Sequence, residues 1–176
     1  MSEWACDPGS VEEASGITIR RGTAADAAAA GGVVADVLLE HGFGFDPTLD
    51  ADILAPRAHY LSRGGAFFVA VEPGEGIVGT AALMRTGAAT AELRKLFLLP
   101  HARGRGVGRL LLDAVLDAAR ARGLRRVTLT TRERYGAAMR LYERCGFRLV
   151  GDANQWRAGD RGLTYALDFD VCAAAA

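Results

Sequence analysis

Cysteine is scarce in this sequence of 176 residues, since it occurs only as Cys6, Cys145 and Cys172. These positions show neither the close spacing of metal-binding cysteines nor the paired framework of a disulfide-rich domain, so we expect no metal site. The sequence also lacks an apolar run of the roughly 20 residues that cross a membrane. Residues 1–16 lack the basic and apolar segments of a signal peptide. We therefore expect a cytoplasmic protein with no membrane partner.

Net charge is absent as well, because Lys plus Arg and Asp plus Glu each number 21. This balance gives no general attraction to nucleic acid or to a membrane. The charge is uneven along the chain, however. Residues 1–92 carry 5 basic and 13 acidic residues, whereas residues 93–148 carry 14 basic and 4 acidic ones. The pattern predicts an anionic partner for the basic section and a cationic or neutral one for the acidic section. The alternative is clustered charge that is merely solvated.

Half of the residues are hydrophobic, which is enough for one domain with its own core. Residues 1–16 are predicted to be a flexible N-terminal extension, residues 17–171 the folded domain and residues 172–176 a tail. Apolar periodicity and turn residues predict the order β-α-α-β-β-β-α-β-α-β-β, which is typical of a single mixed-sheet α/β domain. The predicted strands are 17–21, 65–72, 77–85, 90–99, 125–131, one beginning at "GFRLVG", and 163–170; the predicted helices are 23–41, 49–62, 106–122 and 136–145.

A glycine-rich loop, "RGRGVG" at 103–108, separates the apolar run "KLFLLP" from an amphipathic helix. It matches neither the phosphate loop G-x-x-x-x-G-K-[ST] nor the dinucleotide pattern G-x-G-x-x-G, since Arg109 occupies the last glycine position. Backbone N–H groups at a helix N-terminus bind phosphate groups well. The loop therefore predicts close approach of the backbone to an anion, with a tight turn and solvated arginines as the alternative.

The segment "AELRKLFLLPHARGRGVGRLLLDAVLDAARARG", followed by "AMRLYERCGF", resembles the acetyl-CoA core of the Gcn5-related N-acetyltransferases (GNAT). The R/Q-x-x-G-x-G/A loop of that family is matched by Arg103, Gly106 and Gly108. The resemblance covers about residues 90–148 and agrees with the order of the upstream elements. It implies acetyl-CoA as cosubstrate, and a homodimer would be in keeping with the family. The implied cofactor-binding residues are Leu96, Phe97 and Leu98 for the pantetheine arm, through their backbone, and Arg103, Gly104, Arg105, Gly106, Val107, Gly108 and Arg109 for the pyrophosphate.

The resemblance also implies direct acetyl transfer to an amine, without an acyl-enzyme. Tyr142, in "LYERCGF", matches the family tyrosine beside the cofactor sulfur, where a phenol can protonate the leaving thiolate. The alternative is a core aromatic on an amphipathic helix. The backbone N–H of Leu98 is the expected oxyanion donor. Many relatives carry Asn where this sequence has Tyr135, so the cofactor contact made by that Asn is not expected here.

Glu92 is the predicted general base. It precedes Arg103 by eleven residues, the spacing of the catalytic glutamate in the histone-acetylating relatives. On a regular strand, Glu92, Leu96 and Leu98 would project to one face, although a bulge would shift that register. The alternative is a structural salt bridge from Glu92 to Arg94.

The acceptor wall is expected in the first half of the chain. His41 and His59 are candidates for contacts with the acceptor, or are surface histidines. Four carboxylates there attract a cationic acceptor or are solvated: Glu40, Asp46, Asp50 and Asp52.

The sequence thus favours an acetyl-CoA-dependent N-acetyltransferase that acts on a primary amine of a small molecule or a protein. The alternative is a non-catalytic acyl-CoA sensor on the same fold. A nucleic-acid partner is not expected, because no aromatic stacking platform is interleaved with the arginines.

Overall fold

The computed structural model describes residues 12–153 and 161–169. Within these residues, eight strands form one sheet in the order β1-β2-β3-β4-β5-β6-β8-β7. The strands are β1 Glu12–Ala14, β2 Ile17–Arg21, β3 Ala66–Glu72, β4 Gly76–Arg85, β5 Thr90–Leu98, β6 Arg126–Arg132, β7 Arg148–Ala153 and β8 Gly162–Asp168. The helices are α1 Ala27–Glu40, α2 Ala51–Leu54, α3 Pro56–His59, α4 Val107–Ala121 and α5 Gly136–Arg144.

Neighbouring strands are antiparallel except for β5 and β6, which run parallel. The long α4 connects these two strands, as a parallel pair requires. The predicted mixed-sheet α/β fold is confirmed.

The N-terminal boundary differs from the prediction. The sequence predicts that residues 12–14 belong to a flexible extension, but they form β1 and pair with β2 through a turn at Ser15 and Gly16. Local pattern does not reveal the strand because Ala14 is its one apolar residue, and Ala14 packs against the core beside α4. Residues 1–11 of the predicted extension lie outside the described residues, as do residues 170–176 with the predicted tail.

The single helix predicted over 49–62 is also wrong, since α2 and α3 are separate and a 3₁₀ turn follows at Leu61–Arg63. The break lies at Ala55, with φ −132° and ψ 60°. Pro56 causes it, because a proline ring disfavours the helical conformation in the preceding residue.

The sheet has an apolar core on each face. The larger core packs beneath α4 and α5, and the smaller one beneath α1 and α2. None of the described helices is long and apolar enough to span a membrane.

Candidate functional site

The glycine loop joins the end of β5 to the start of α4. Gly106 is the N-cap of α4 and has φ +83°. This left-handed conformation is unfavourable for residues that carry a Cβ. Gly108, in the first turn, has no such backbone requirement. A Cβ there would lie 3.3 Å from Leu98 Cδ1 and 3.6 Å from Leu141 Cδ2. Gly106 therefore sets the chain direction, and Gly108 allows α4 to pack closely on β5 and α5.

Backbone N–H groups at the start of α4 point into the loop. The first amides with a helical acceptor are those of Arg109 and Leu110, which both donate to the Gly106 carbonyl. The amides of Val107 and Gly108 lie in the first turn, where no helical carbonyl is available to accept a hydrogen bond from them. The positive end of the helix dipole adds to these donors, so the loop backbone is suited to a phosphate group.

The three arginines of the loop contact other parts of the protein. Arg103 donates to both carboxylate oxygens of Glu40, at 2.7 and 2.6 Å, and its Nε donates to the Leu98 carbonyl. Arg105 pairs with Glu72 at 2.8 Å and donates to the Ser15 carbonyl at 2.7 Å.

Arg109 pairs with Asp113 one turn along α4. The side chains of Arg103 and Arg105 therefore tie the loop to α1, to β3 and to the turn after β1. Contacts of these arginines with an anion stay a prediction.

Beside the loop, β5 and β6 separate. Their pairing ends at Leu93 and Leu129, whereas β5 stays paired with β4 as far as Leu98. A bulge lies at this point of β5. Two residues of β5, Lys95 and Leu96, lie opposite a single residue of β4, Ala81. The separation leaves a gap between the two parallel strands, and the second half of β5 forms one edge of it.

The backbone of Leu98 faces this gap. Leu99 donates to Val78 of β4, and backbone groups of successive residues point to opposite sides of a strand. The amide and carbonyl of Leu98 thus point away from β4, and Arg103 reaches that carbonyl at 3.0 Å. An N–H donor is available at the position expected for oxyanion stabilisation.

The bulge overturns the prediction that Glu92, Leu96 and Leu98 share a face. Leu96 and Leu98 pack with Leu93 on the α4 side. Phe97 packs on the α1 side, as does Met84, the β4 partner of Glu92. The extra residue shifts the alternation of β5 by one position.

Glu92 and Tyr142 therefore lie on opposite faces of the sheet, near the point where the gap begins. Leu129 pairs with Leu93 on one side and with Tyr165 on the other. The Tyr142 ring lies 6.4 Å from that of Tyr165. Glu92 immediately precedes Leu93, so the two predicted catalytic residues flank the gap from either side.

Burial raises the pKa of Glu92 above its ordinary value, and Asp52 adds to the increase, whereas Arg94 and Lys95 oppose it. The alternative salt bridge from Arg94 to Glu92 is absent from the described residues. Arg94 Nε instead lies 3.3 Å from Asp52 Oδ2. Glu92 thus has the higher proton affinity that suits a general base.

Tyr142 is buried among Phe147 and Tyr165, and this burial raises its pKa above the ordinary range. The phenol therefore keeps its proton at neutral pH, as a general acid must. Its packing is equally that of a core aromatic, so the geometry is consistent with both interpretations of this residue.

The carboxylates of the first half of the chain are mostly paired internally. Asp50 and Asp52 are buried against Lys95, and Glu40 pairs with Arg103. These contacts join the acidic section to the basic one. The charge of a partner stays a prediction. His41 stacks edge-on against Tyr135, with ring centroids 4.6 Å apart.

Three further polar residues near the site were not predicted: Lys95, Thr80 and Tyr60. A lysine inside the apolar run "RKLFLL" is the one signal for this group. Thr80 Oγ1 donates to the Lys95 carbonyl at 2.7 Å, and the Tyr60 hydroxyl donates to Asp52 Oδ2 at 2.7 Å. Their partners are distant in sequence, so no local pattern reveals them.

Known proteins resemble this chain in sequence and in fold. Residues 36–147 match the model of the acetyltransferase (GNAT) family. The chain is 34% identical over 112 residues to N-acetylaspartate synthetase of Danio rerio, a match that spans 63% of this chain and 40% of that protein. It is 32% identical over 137 residues to the N-acetyltransferase YjgM of Escherichia coli, spanning 75% of this chain and 82% of the relative.

The fold also matches a solved structure, that of yncA from Salmonella typhimurium with its cofactor acetyl-CoA. The TM-score is 0.72 at 23% identity, over 91% of this chain and 98% of that one.

Proposed function

We propose that this chain, which belongs to the GNAT acetyltransferase family, transfers the acetyl group of acetyl-CoA directly to a primary amine of a small molecule or a protein. The observation that carries the proposal is the gap between β5 and β6, which opens beside the glycine loop with Glu92 on one face and Tyr142 on the other.

The residues present suit acetyl-CoA. The amides of Val107 and Gly108 bind the pyrophosphate, because they lie at the start of α4 and Gly106 adds no side chain in front of them. The free edge of β5 at Leu96 and Leu98 pairs with the amides of the pantetheine arm in the manner of an added strand. Bound there, the cosubstrate supplies the thioester carbonyl that the amine attacks.

Glu92 takes the proton from the ammonium form of the acceptor, directly or through one water, so that the amine becomes a nucleophile. The Leu98 amide donates a hydrogen bond to the carbonyl oxygen as that oxygen becomes negative. Tyr142 gives its proton to the thiolate as the C–S bond breaks, and the proton that the new amide nitrogen loses returns Tyr142 to the phenol form. Glu92 as base and Tyr142 as acid thus act from opposite faces of the sheet on a thioester held between them.

Glu92→Gln is expected to reduce kcat by about 10-fold or more and to abolish the acidic limb of the pH–rate curve. Affinity for CoA should stay unchanged, because position 92 lies outside the glycine loop. The reduction is limited because water remains able to accept the amine proton.

The same variant should not lose stability at neutral pH. Since burial raises the pKa of Glu92 in the folded protein, the protonated form stabilises the fold, and this stabilisation is lost as pH rises through that pKa. Glutamine stays neutral, so the Tm of the variant relative to wild type should be higher at about pH 7.5 than at about pH 4, on either side of the ordinary glutamate pKa. A variant with normal kcat and reduced Tm at neutral pH would show a structural role for Glu92 instead.

A turnover screen tests the proposed function. Release of free CoA from acetyl-CoA is measured with polyamines, aminoglycosides, amino acids and N-terminal peptides, so that cationic, zwitterionic and neutral acceptors are all represented. We expect saturable turnover with at least one class and an N-acetylated product by mass spectrometry. Calorimetric CoA binding without turnover on any class would favour the acyl-CoA sensor.

A further inference from the structure

Buried ionic and polar groups connect α2 to the bulge of β5. Lys95 Nζ lies 2.6 Å from Asp50 Oδ1 and 3.3 Å from Asp52 Oδ1. The Asp52 carboxylate also accepts from the Tyr60 hydroxyl at 2.7 Å and lies 3.3 Å from Arg94 Nε. Asp52 is 4% exposed and Tyr60 is fully buried. None of these groups has a role in the chemistry described above.

Asp52 is the junction of this network. It contacts both Arg94 and Lys95, which are consecutive residues of β5 at the point where pairing with β6 has ended. Lys95 has φ +54°, a left-handed conformation that is unfavourable for a residue with a side chain. Its ion pairs with Asp50 and Asp52 and the hydrogen bond from Thr80 to its carbonyl compensate for this strain.

The network lies on the same face of the sheet as Glu92. The strand partners of Glu92 are uncharged, since they are Met84 on β4 and Thr128 on β6. Arg126, two residues before Thr128 on β6, pairs with Asp168. The phenol of Tyr60 keeps its proton, because burial raises its pKa. On this face α1 contributes the apolar residues Val34 and Leu38. Among the described residues, the charges that shift the pKa of Glu92 are those of Asp52, Arg94 and Lys95.

We propose that Asp52 is a positioning residue for acetyl transfer: it holds the bend of β5 through Lys95 and Arg94 and sets the electrostatic environment of Glu92. The inference rests on the proposed function, in which Glu92 is the base. Asp52 does not touch the reacting atoms. It acts from α2 on the strand that carries Glu92 and the Leu98 amide.

Asp52→Asn is the direct test, and Asp50→Asn is its matched control. Asparagine keeps an oxygen that accepts from Tyr60, removes the charge and places an NH2 group where Oδ1 faces Lys95. Because the charge of Asp52 raises the pKa of Glu92, its removal should lower that pKa. Asp50→Asn disrupts the closer pair with Lys95, but the charges that shift the pKa of Glu92 are those of Asp52, Arg94 and Lys95, so this control should leave Glu92 almost unchanged.

Two readouts distinguish the inference from the proposed function. The first is the titration of the Glu92 carboxyl by NMR on protein labelled with ¹³C-glutamate, assigned with Glu92→Gln, which needs no acceptor. The second is kcat against pH with an acceptor from the screen. For Asp52→Asn we expect a lower NMR midpoint, an acidic limb moved to lower pH and a plateau kcat reduced by about 3- to 10-fold, with the KM for acetyl-CoA unchanged.

Arg94→Met should shift the pKa of Glu92 in the opposite direction, and it leaves the buried carboxylates of Asp50 and Asp52 in place. Removal of the Arg94 charge should raise the Glu92 midpoint, and this test remains available if Asp52→Asn fails to fold. Equal shifts of Glu92 in Asp52→Asn and Asp50→Asn, or shifts of the same sign in Asp52→Asn and Arg94→Met, would overturn the inference. If wild type acetylates no amine, the proposed function fails, and the NMR titration still decides whether Asp52 controls Glu92.

Discussion

Tyr142→Phe is expected to reduce kcat by about 10²-fold or more while Tm and CoA affinity stay close to those of wild type. The substitution removes one hydroxyl and keeps the ring that packs against Phe147 and Tyr165. If Tyr142 protonates the thiolate, the loss falls on the chemical step and not on binding. Single-turnover kinetics with calorimetry of CoA binding separates the two.

Tyr165→Phe is the matched control for this prediction. Tyr165 belongs to the same aromatic group and is buried, and its hydroxyl donates to Glu143 at 3.0 Å. We expect near-normal kcat for this variant. Comparable losses in both variants, or normal kcat in Tyr142→Phe, would identify Tyr142 as a core aromatic.

Because burial raises the pKa of Tyr142, its phenol stays protonated beyond the pH at which an exposed tyrosine ionises. We therefore expect that ionisation of Tyr142 does not reduce kcat up to about pH 10, the ordinary pKa of tyrosine.

Gly106→Val should weaken CoA binding by about 10²-fold, which corresponds to roughly 2.7 kcal/mol. At φ +83° a β-branched side chain is strained, and the strain is relieved by rotation of the N-cap. That rotation would turn the first amides of α4 away from the position proposed for the pyrophosphate. Isothermal titration calorimetry with CoA measures the effect directly.

Gly123→Val controls for strain alone. Gly123 lies just beyond the other end of α4 and has φ +65°, and a Cβ added there would meet nothing within 4 Å. The control should lose stability by a similar amount and bind CoA normally. Equal loss of CoA affinity in the two variants would mean that general destabilisation, and not the loop, explains the result.

Local patterns in the sequence were sufficient for much of the fold and for the position of the loop. The amphipathic period over α4, the capping glycine at Gly123 and the spacing of Gly106 from Arg103 each depend on residues within a few positions of one another. The break at Pro56 is also local, and the prediction over 49–62 is wrong because the effect of the proline on Ala55 outweighs the apolar pattern around it.

The face on which Glu92 lies, the bulge at Lys95 and the partners of the charged residues depend on tertiary contacts. Lys95 meets Asp50 across 45 positions of sequence, and Arg103 meets Glu40 across 63. A bulge depends on the pairing of two strands, and an ion pair depends on which elements pack together. Local patterns thus sufficed for most of the elements, the glycine loop and the candidate residues, but not for β1 or the break before Pro56. The register of β5 and the charge around Glu92 arise from contacts between segments that no local pattern encodes.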